Sequence, residues 1–198
     1  VTVTNAVAIE GTAAEVTAAL VTAGTKVEVD DATVNITTTP TIAALNLIAA
    51  ETTGVVTATL AADSLANLAA LNTAGTDQIT VTVNDANAAA LTAANLSTLG
   101  GKTAGTVTVT NAVAITGDHD QVTAALVTAG TKVEVDDATV TINDANATAI
   151  TAAELSAVGG ATLGTVTVTN AVAIEGTAAE VTAALVTAGT KVEVDDPT

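Results

Sequence analysis

The stretch that decides the fold is VTVTNAVAIEGTAAEVTAALVTAGTKVEVDDA, residues 1–32. It opens on a six-residue phrase, V-x-V-x-[N/D]-A, and closes on another copy of that phrase. Moving outward, the phrase returns as VTVNDA at Val81, VTVTNA at Val107, VEVDDA at Val133, VTINDA at Val140, VTVTNA at Val166 and VEVDDP at Val192. The starts pair evenly: Val1 with Val27, Val81 with Val107, Val107 with Val133, Val140 with Val166, and Val166 with Val192. A fixed period of this size, about 26 residues, marks a solenoid, in which each repeat buries its apolar face against its neighbours.

A second period is nested above the first. Residues 1–33 and 166–198 are the same apart from Ala32 and Pro197. The higher-order repeat is therefore about 165 residues long, several coils to the block. Residues 107–139 are a third copy, in which Glu10 becomes Thr116 and Thr12-Ala13-Ala14-Glu15 becomes Asp118-His119-Asp120-Gln121. The chain reads as one repeat array over residues 1–198, of about 7.5 coils by the shorter period. The start on the phrase at Val1 and the stop just after another copy read as a stretch of something longer.

Each coil divides into three parts. Val alternating with Thr or Glu predicts a strand with one buried and one wet face. Asn or Asp then turns a corner, at Asn5, Asp31, Asp85, Asn111, Asp137, Asn170 and Asp196. An Ala-rich run follows and ends in Gly, as in TAAEVTAALVTAG, SLANLAALNTAG and TAAELSAVGG. Ala13, Val16, Leu20 and Ala23 fall on one helical face. Thr12 with Glu15, Thr151 with Glu154 and Thr177 with Glu180 have capping-box spacing, which Asp118 and Gln121 preserve in the third copy. Gly24, Gly75, Gly130 and Gly189 are placed to stop helices in a left-handed C′ conformation. Pro40 reads as the first helical residue after Thr39. TVNI at 33–36 and TVTI at 139–142 read as insertions, and VVTATLAAD at 55–63 as a degenerate coil.

The predicted fold is α/β: a right-handed solenoid of strand, corner and short-helix coils, each of about 26 residues, with one parallel sheet backed by a row of Ala-rich helices. At about 4.8 Å per strand, seven to eight coils make a rod of roughly 35 Å.

Composition sets the function classes. The chain has 198 residues, 49% of them apolar, yet no Phe, Trp, Tyr, Met or Cys. Its core must be built from Val, Ile, Leu and Ala with Thr methyls. Twenty-one acids against four lysines give a net charge of −17. Nucleic-acid binding needs clustered basic residues and is excluded on that ground. No uninterrupted apolar run is long enough to span a membrane.

The candidate sites weigh structure against ligand. Stacked corners would form a ladder, each Asn or Asp bonding the backbone of a neighbouring coil. Alternatively, the paired acids Asp30-Asp31, Asp136-Asp137 and Asp195-Asp196 offer the oxygen clusters that calcium prefers. The outward Thr2, Thr4, Thr82, Thr108, Thr110, Thr167 and Thr169, interrupted by Glu28, Glu134 and Glu193, offer a face for ice or glycan. His119, the one histidine, sits between Asp118 and Asp120 at a predicted helix start, which reads as a solvated turn. The carboxylates recur by repeat and do not converge, so neither a catalytic nor a cofactor residue is assigned, calcium being the one cofactor considered.

Runs such as SLANLAAL (64–71), TAANLSTLGG (92–101) and TVTVTNAVAITG (106–117) resemble the Ala/Thr/Val-rich tandem repeats of giant secreted proteobacterial and cyanobacterial proteins, surface-layer-like or adhesin-like. That resemblance implies export and a place at the bacterial cell surface. The expected function is an extracellular structural repeat protein, not an enzyme. It would form a surface fibre, layer or adhesin stalk by stacking, and associate with itself end to end through exposed sheet edges. The alternative is a binding module that uses the Thr/Glu face or the Asp corners.

Overall fold

A computed structural model describes residues 1–195. It is an α/β structure with parallel strands throughout its ladders and no closed barrel. Two compact units divide the chain: residues 1–83 with 101–107, and residues 84–100 with 108–198.

In the first unit, β1 (Thr2–Val3), β2 (Ala8–Gly11), α1 (Ala13–Leu20), β3 (Glu28–Val29), β4 (Thr33–Ile36) and α2 (Ile42–Ala49) come first. They are followed by β5 (Val56–Thr59), α3 (Leu65–Leu68) and β6 (Gln78–Val83). β1 pairs with β3, and β2, β4, β5 and β6 lie side by side in that order. Valine and isoleucine alternate with Thr, Glu or Asn along these strands. Val34, Ile36, Val56, Ile79, Val81 and Val83 accordingly point inward and are buried. Leu20, Leu45, Ile48 and Leu68 bring the helices onto them with no exposed surface. Each such side chain is worth about 1.5–3 kcal/mol of burial.

The second unit contains β7 (Ala90–Thr92), α4 (Ala93–Gly100), β8 (Val107–Val109), β9 (Ala114–Gly117), α5 (His119–Leu126) and β10 (Glu134–Val135). It continues with β11 (Thr139–Ile142), β12 (Ala149–Thr151), α6 (Ala152–Gly159), β13 (Val166–Val168), β14 (Ala173–Glu175), α7 (Ala178–Leu185) and β15 (Glu193–Val194). Five of these strands form a sheet in the order β15-β13-β11-β9-β7, while β12 pairs with β14 and β8 with β10. α4 packs on α5, α5 on α6 and α6 on α7.

Every V-x-V phrase forms a strand, and the repeat spacing is the pairing register. Thr2 faces Glu28, Thr108 faces Glu134, Val140 faces Val166 and Thr167 faces Glu193, each pair separated by one repeat period. Where a single sheet was expected, the strands of each unit occupy more than one ladder. Two features cause this. The Ala-Ile segments after the corner, at β2, β9 and β14, are strands in their own right. TVNI and TVTI are the partners of two of them: Ile9 faces Val34 and Ile115 faces Val140. The degenerate coil supplies β5, an ordinary member of the first unit's ladder.

The capping-box helices start as expected, and α1, α5 and α7 stop before the glycines expected to end them. Thr12, Thr151 and Thr177 form full capping boxes with Glu15, Glu154 and Glu180, and Asp118 caps α5 through the Gln121 N–H at 2.8 Å. α1 ends at Leu20, so Ala23 lies beyond it and is exposed. Gly24, Gly75, Gly130 and Gly189 are not in the left-handed region. Threonine closes these helices. Thr25, Thr131 and Thr190 donate their hydroxyls to the carbonyls of Ala18, Ala124 and Ala183, seven residues back. Val27, Val133 and Val192 then donate backbone N–H groups to Ala19, Ala125 and Ala184. Orphan carbonyls of the last turn are thereby satisfied without a glycine cap. Pro40 is buried one residue ahead of the true N-cap, Thr41. In the SLANLAALNTAG run only Leu65–Leu68 is helical. Asn46 of α2 accepts from Asn72 N–H at 2.8 Å and donates to the Ala70 carbonyl at 2.9 Å, which holds that segment out of the helix.

Candidate functional site

Among the corner residues, two asparagines tie one repeat to the next. Asn111 Nδ2 donates to the Asp85 carbonyl, and Asn170 Nδ2 to the Asp144 carbonyl, both at 2.6 Å. Asn5, Asp31 and Asp137 are exposed, and Asp85 is half-buried. Asp196 lies outside the described residues. Of the paired acids, Asp30, Asp31, Asp136, Asp137 and Asp195 are exposed. Among the described residues, no three His, Asp or Glu side chains gather into a group that could hold a metal. On the strand faces Thr2 stands beside Glu28, Thr108 beside Glu134 and Thr167 beside Glu193, so a carboxylate neighbours each of these threonines.

The densest titratable cluster is around His119, in the second unit. The side chain is 17% exposed, in place of the solvated turn expected from sequence. Its partner is Asp144, 25 residues on and 6% exposed. Asp144 sits in the Asn143–Thr148 turn after β11. Two features shape that turn: Asn143 N–H donates to the Gly117 carbonyl at 3.0 Å, and Ala147 adopts φ +63°. An alanine in the left-handed region carries strain of about 1 kcal/mol. The Ala147 N–H is anchored on the Ala171 carbonyl at 2.6 Å. Ala88, in the matching turn between β6 and β7, has φ +61°.

Held this way, the Asp144 carboxylate faces the start of α5. One oxygen accepts from the His119 backbone N–H at 2.8 Å, and the other lies 2.7 Å from Nδ1. Asp120 is 3.5 Å from Nε2 on the other side of the ring. Burial is the largest single influence on His119 and lowers its pKa. The Asp144 hydrogen bond, with the charges of Asp144, Asp120 and Glu154, outweighs burial and leaves the pKa raised. Glu154 is held below its usual range, first by the Thr151 hydroxyl and also by the His119 charge. In the first unit Thr38 has the equivalent role: its hydroxyl accepts from Ala13 N–H at 3.0 Å. The third copy has thus replaced a neutral clasp between repeats by an ionisable one.

A second set of polar contacts escaped the sequence reading. Thr52, Thr103 and Thr162 each precede a strand as part of T-x-G. Each hydroxyl accepts from the glycine N–H two residues on, at Gly54 (3.0 Å), Gly105 (2.8 Å) and Gly164 (3.0 Å). Each also reaches back to a carbonyl of the preceding repeat: Ala32 at 2.6 Å, Asp77 at 2.9 Å and Ala138 at 2.7 Å. In the first unit Asp77, 3% exposed, extends this stitch. Its carboxylate accepts from Val56 N–H at 2.8 Å and Ala74 N–H at 3.0 Å. The signal available in sequence was the recurrence of T-x-G before a Val-led strand at 52–54, 103–105 and 162–164.

These sites belong to a class of α/β chain in which parallel strands and two-turn helices recur, joined from repeat to repeat by buried or half-buried Thr, Asn and Asp contacts. No protein-family model matches the chain, and no curated protein or solved structure matches it. No helix among the described residues is long and apolar enough to cross a membrane.

Proposed function

We propose that the protein is an extracellular structural repeat protein and not an enzyme. It builds a surface fibre, layer or adhesin stalk by stacking right-handed solenoid coils, and copies associate end to end. The observation that carries this reading is the agreement of sequence period with strand register: copies of one phrase stand side by side, a single period apart, in both units. A chain in which each repeat's main partner is the next repeat has no intrinsic length. The return of residues 1–31 at 166–196 supports the same reading, since it adds a second, longer period to the array. Polar contacts, buried at Thr103 and Asp77 and half-buried at Asn170, also join repeats, each bonding backbone of a neighbouring repeat. The reading places the protein outside the cell, at the bacterial surface, and assigns it no cofactor.

Sedimentation across a concentration series, with electron microscopy of the same samples, tests the proposal. Species larger than the 19.0 kDa chain that grow with concentration, and thin filaments or sheets, are expected. A monomer at every concentration would sink the assembly reading.

A further inference from the structure

We propose that Asn146, in the turn between β11 and β12, is an acceptor for an asparagine-linked glycan. The inference rests on the extracellular reading above, because this modification belongs to secreted proteins.

Asn-x-Ser/Thr, with x other than proline, is the triplet that carries such sugars. It occurs three times here: Asn35-Ile36-Thr37, Asn95-Leu96-Ser97 and Asn146-Ala147-Thr148. A chain this rich in threonine makes such triplets by composition alone, so the fold has to choose among them. A transferase must reach the carboxamide from solvent and hold the hydroxyl two residues on beside it.

Two of the triplets fail that requirement. Asn35 lies in β4, whose backbone pairs with β2 on one side and β5 on the other. Its carboxamide donates to Glu10 at 2.9 Å. Asn95 lies in the first turn of α4, where its N–H donates to the Thr92 hydroxyl at 3.3 Å. Residues two apart on a helix point about 200° away from each other, so Asn95 and Ser97 cannot be gripped together. Ser97 is also turned onto the Ala94 carbonyl at 3.1 Å.

Asn146 meets the requirement. It belongs to no strand or helix, and Ala145, Asn146 and Ala147 are all exposed. The turn is closed by Thr148, whose N–H and hydroxyl both donate to the Ala145 carbonyl, at 3.2 and 2.8 Å. A short exposed turn opens locally at little cost, whereas a paired strand or a helix is held by its whole unit. A bulky hydrophilic sugar on Asn146 would project into solvent and displace no core side chain.

The molecule also contains the same turn without the hydroxyl. Between β6 and β7, Ala86, Asn87 and Ala88 are exposed, Ala88 has φ +61°, and Ala89 N–H donates to the Ala86 carbonyl at 3.0 Å. Alanine stands at position 89 where threonine stands at 148. Asn87 is therefore open but lacks its partner hydroxyl, and one substitution should make it an acceptor.

The donor class is an oligosaccharide carried on a polyprenyl diphosphate. Asn146 Nδ2 attacks the anomeric carbon of the first sugar. A C–N bond forms and the C–O bond to the diphosphate breaks. The polyprenyl diphosphate leaves with the electron pair, and a base of the transferase takes one Nδ2 proton.

The test presents the folded full chain to membranes holding an oligosaccharyltransferase and a polyprenyl-diphosphate-linked oligosaccharide. A short Asn-Ala-Thr peptide is the positive control. Peptide mapping by mass spectrometry should find sugar on Asn146 and none on Asn35 or Asn95. Asn146→Gln should abolish incorporation, Thr148→Ser should keep it, and Ala89→Thr should add a second site at Asn87. Circular dichroism confirms that each variant folds. A folded chain that takes no sugar while the peptide is modified would overturn the proposal, as would sugar on Asn35 or Asn95 in place of Asn146. An Ala89→Thr chain modified only at Asn146 would overturn the part assigned to the turn. Sedimentation that still grows with concentration, beside a bare Asn146, leaves the assembly reading standing and removes this inference alone.

Discussion

Replacing Thr103 by valine removes one oxygen from the interior of the first unit and adds a methyl of nearly the same size. Thr103 is 5% exposed, and its hydroxyl accepts from Ile79 N–H at 2.7 Å and Gly105 N–H at 2.8 Å. It also lies 2.9 Å from the Asp77 carbonyl and 2.8 Å from the Ile79 carbonyl. Asp77 keeps a donor in Ala104 N–H at 2.7 Å, so that carbonyl remains satisfied. Gly105 is half-buried, and its N–H can turn to water for about 0.5–1.5 kcal/mol. Ile79 is fully buried, so its N–H loses its acceptor with no replacement. An orphaned buried donor costs about 1–3 kcal/mol. The gain from a buried methyl offsets under about 1 kcal/mol of this, roughly that of one CH₂. Thr103→Val should therefore destabilise the first unit by about 2–3 kcal/mol. Because the chain has no aromatic residue, urea unfolding is followed by far-UV circular dichroism, with native-state hydrogen exchange at Ile79 to assign the loss to its unit. Thr80→Val, on the exposed face of β6, serves as the comparison and should stay within about 0.5 kcal/mol. A Thr103→Val loss no larger than that of Thr80→Val would refute the idea that T-x-G hydroxyls join the repeats.

Gly159→Ala would place a Cβ 2.7 Å from the Thr190 carbonyl carbon, so it should cost about 1–3 kcal/mol despite alanine's helix preference, whereas Gly130→Ala meets nothing within 4 Å and should stabilise by about 0.5–1 kcal/mol; paired urea midpoints check both. Ala147→Gly relieves a φ of +63° and should leave stability unchanged or raise it by up to about 1 kcal/mol, the reverse of glycine's usual effect, as thermal midpoints will report. The His119–Asp144 clasp should make the second unit more stable in mild acid. A histidine whose folded pKa is raised contributes fully below its unfolded value near 6.5 and loses that contribution as pH rises through the folded value. Asp144→Asn should flatten that dependence, with a loss of about 1 kcal/mol at pH 5.5 that shrinks by pH 9; an equal loss at both would show that charge plays no part.

Much of the fold was legible because the repeat writes it several times. Val1, Val107 and Val166 open strands in three settings, so alternation and spacing gave both the strand and its register. The starts of α1 and α5 were equally clear, since Thr12 and Glu15 changing together to Asp118 and Gln121 kept one capping chemistry; the start of α2 was not, its cap being Thr41 and not Thr39. Helix ends were not, because glycine is the usual stop and Gly24 stands where a stop belongs. The carbonyls are instead taken by Thr25 and by Val27, whose reach depends on how the chain returns after the helix. Residues such as Thr103 and Asp77 were invisible for a related reason. In a chain rich in threonine, a buried hydroxyl differs from an exposed one only by its neighbour in the next repeat.

The short insertions look like interruptions in sequence and act as junctions in space. After VEVDDA the chain lays down β4 or β11, in register with β2 or β9 of the preceding repeat. β4 takes β2 on one side and β5 on the other, and β11 takes β9 and β13. The two-residue strand before each insertion ends its own ladder, and the carbonyls of Asp30 and Asp136 just after it are taken by Thr53 and Leu163 N–H at 2.9 and 2.8 Å. Those carbonyls are already committed, and the exposed acids beside them discourage another strand by charge. A repeat whose VEVDDA strand closes its own edge is continued through β4 or β11, each of which pairs on both sides.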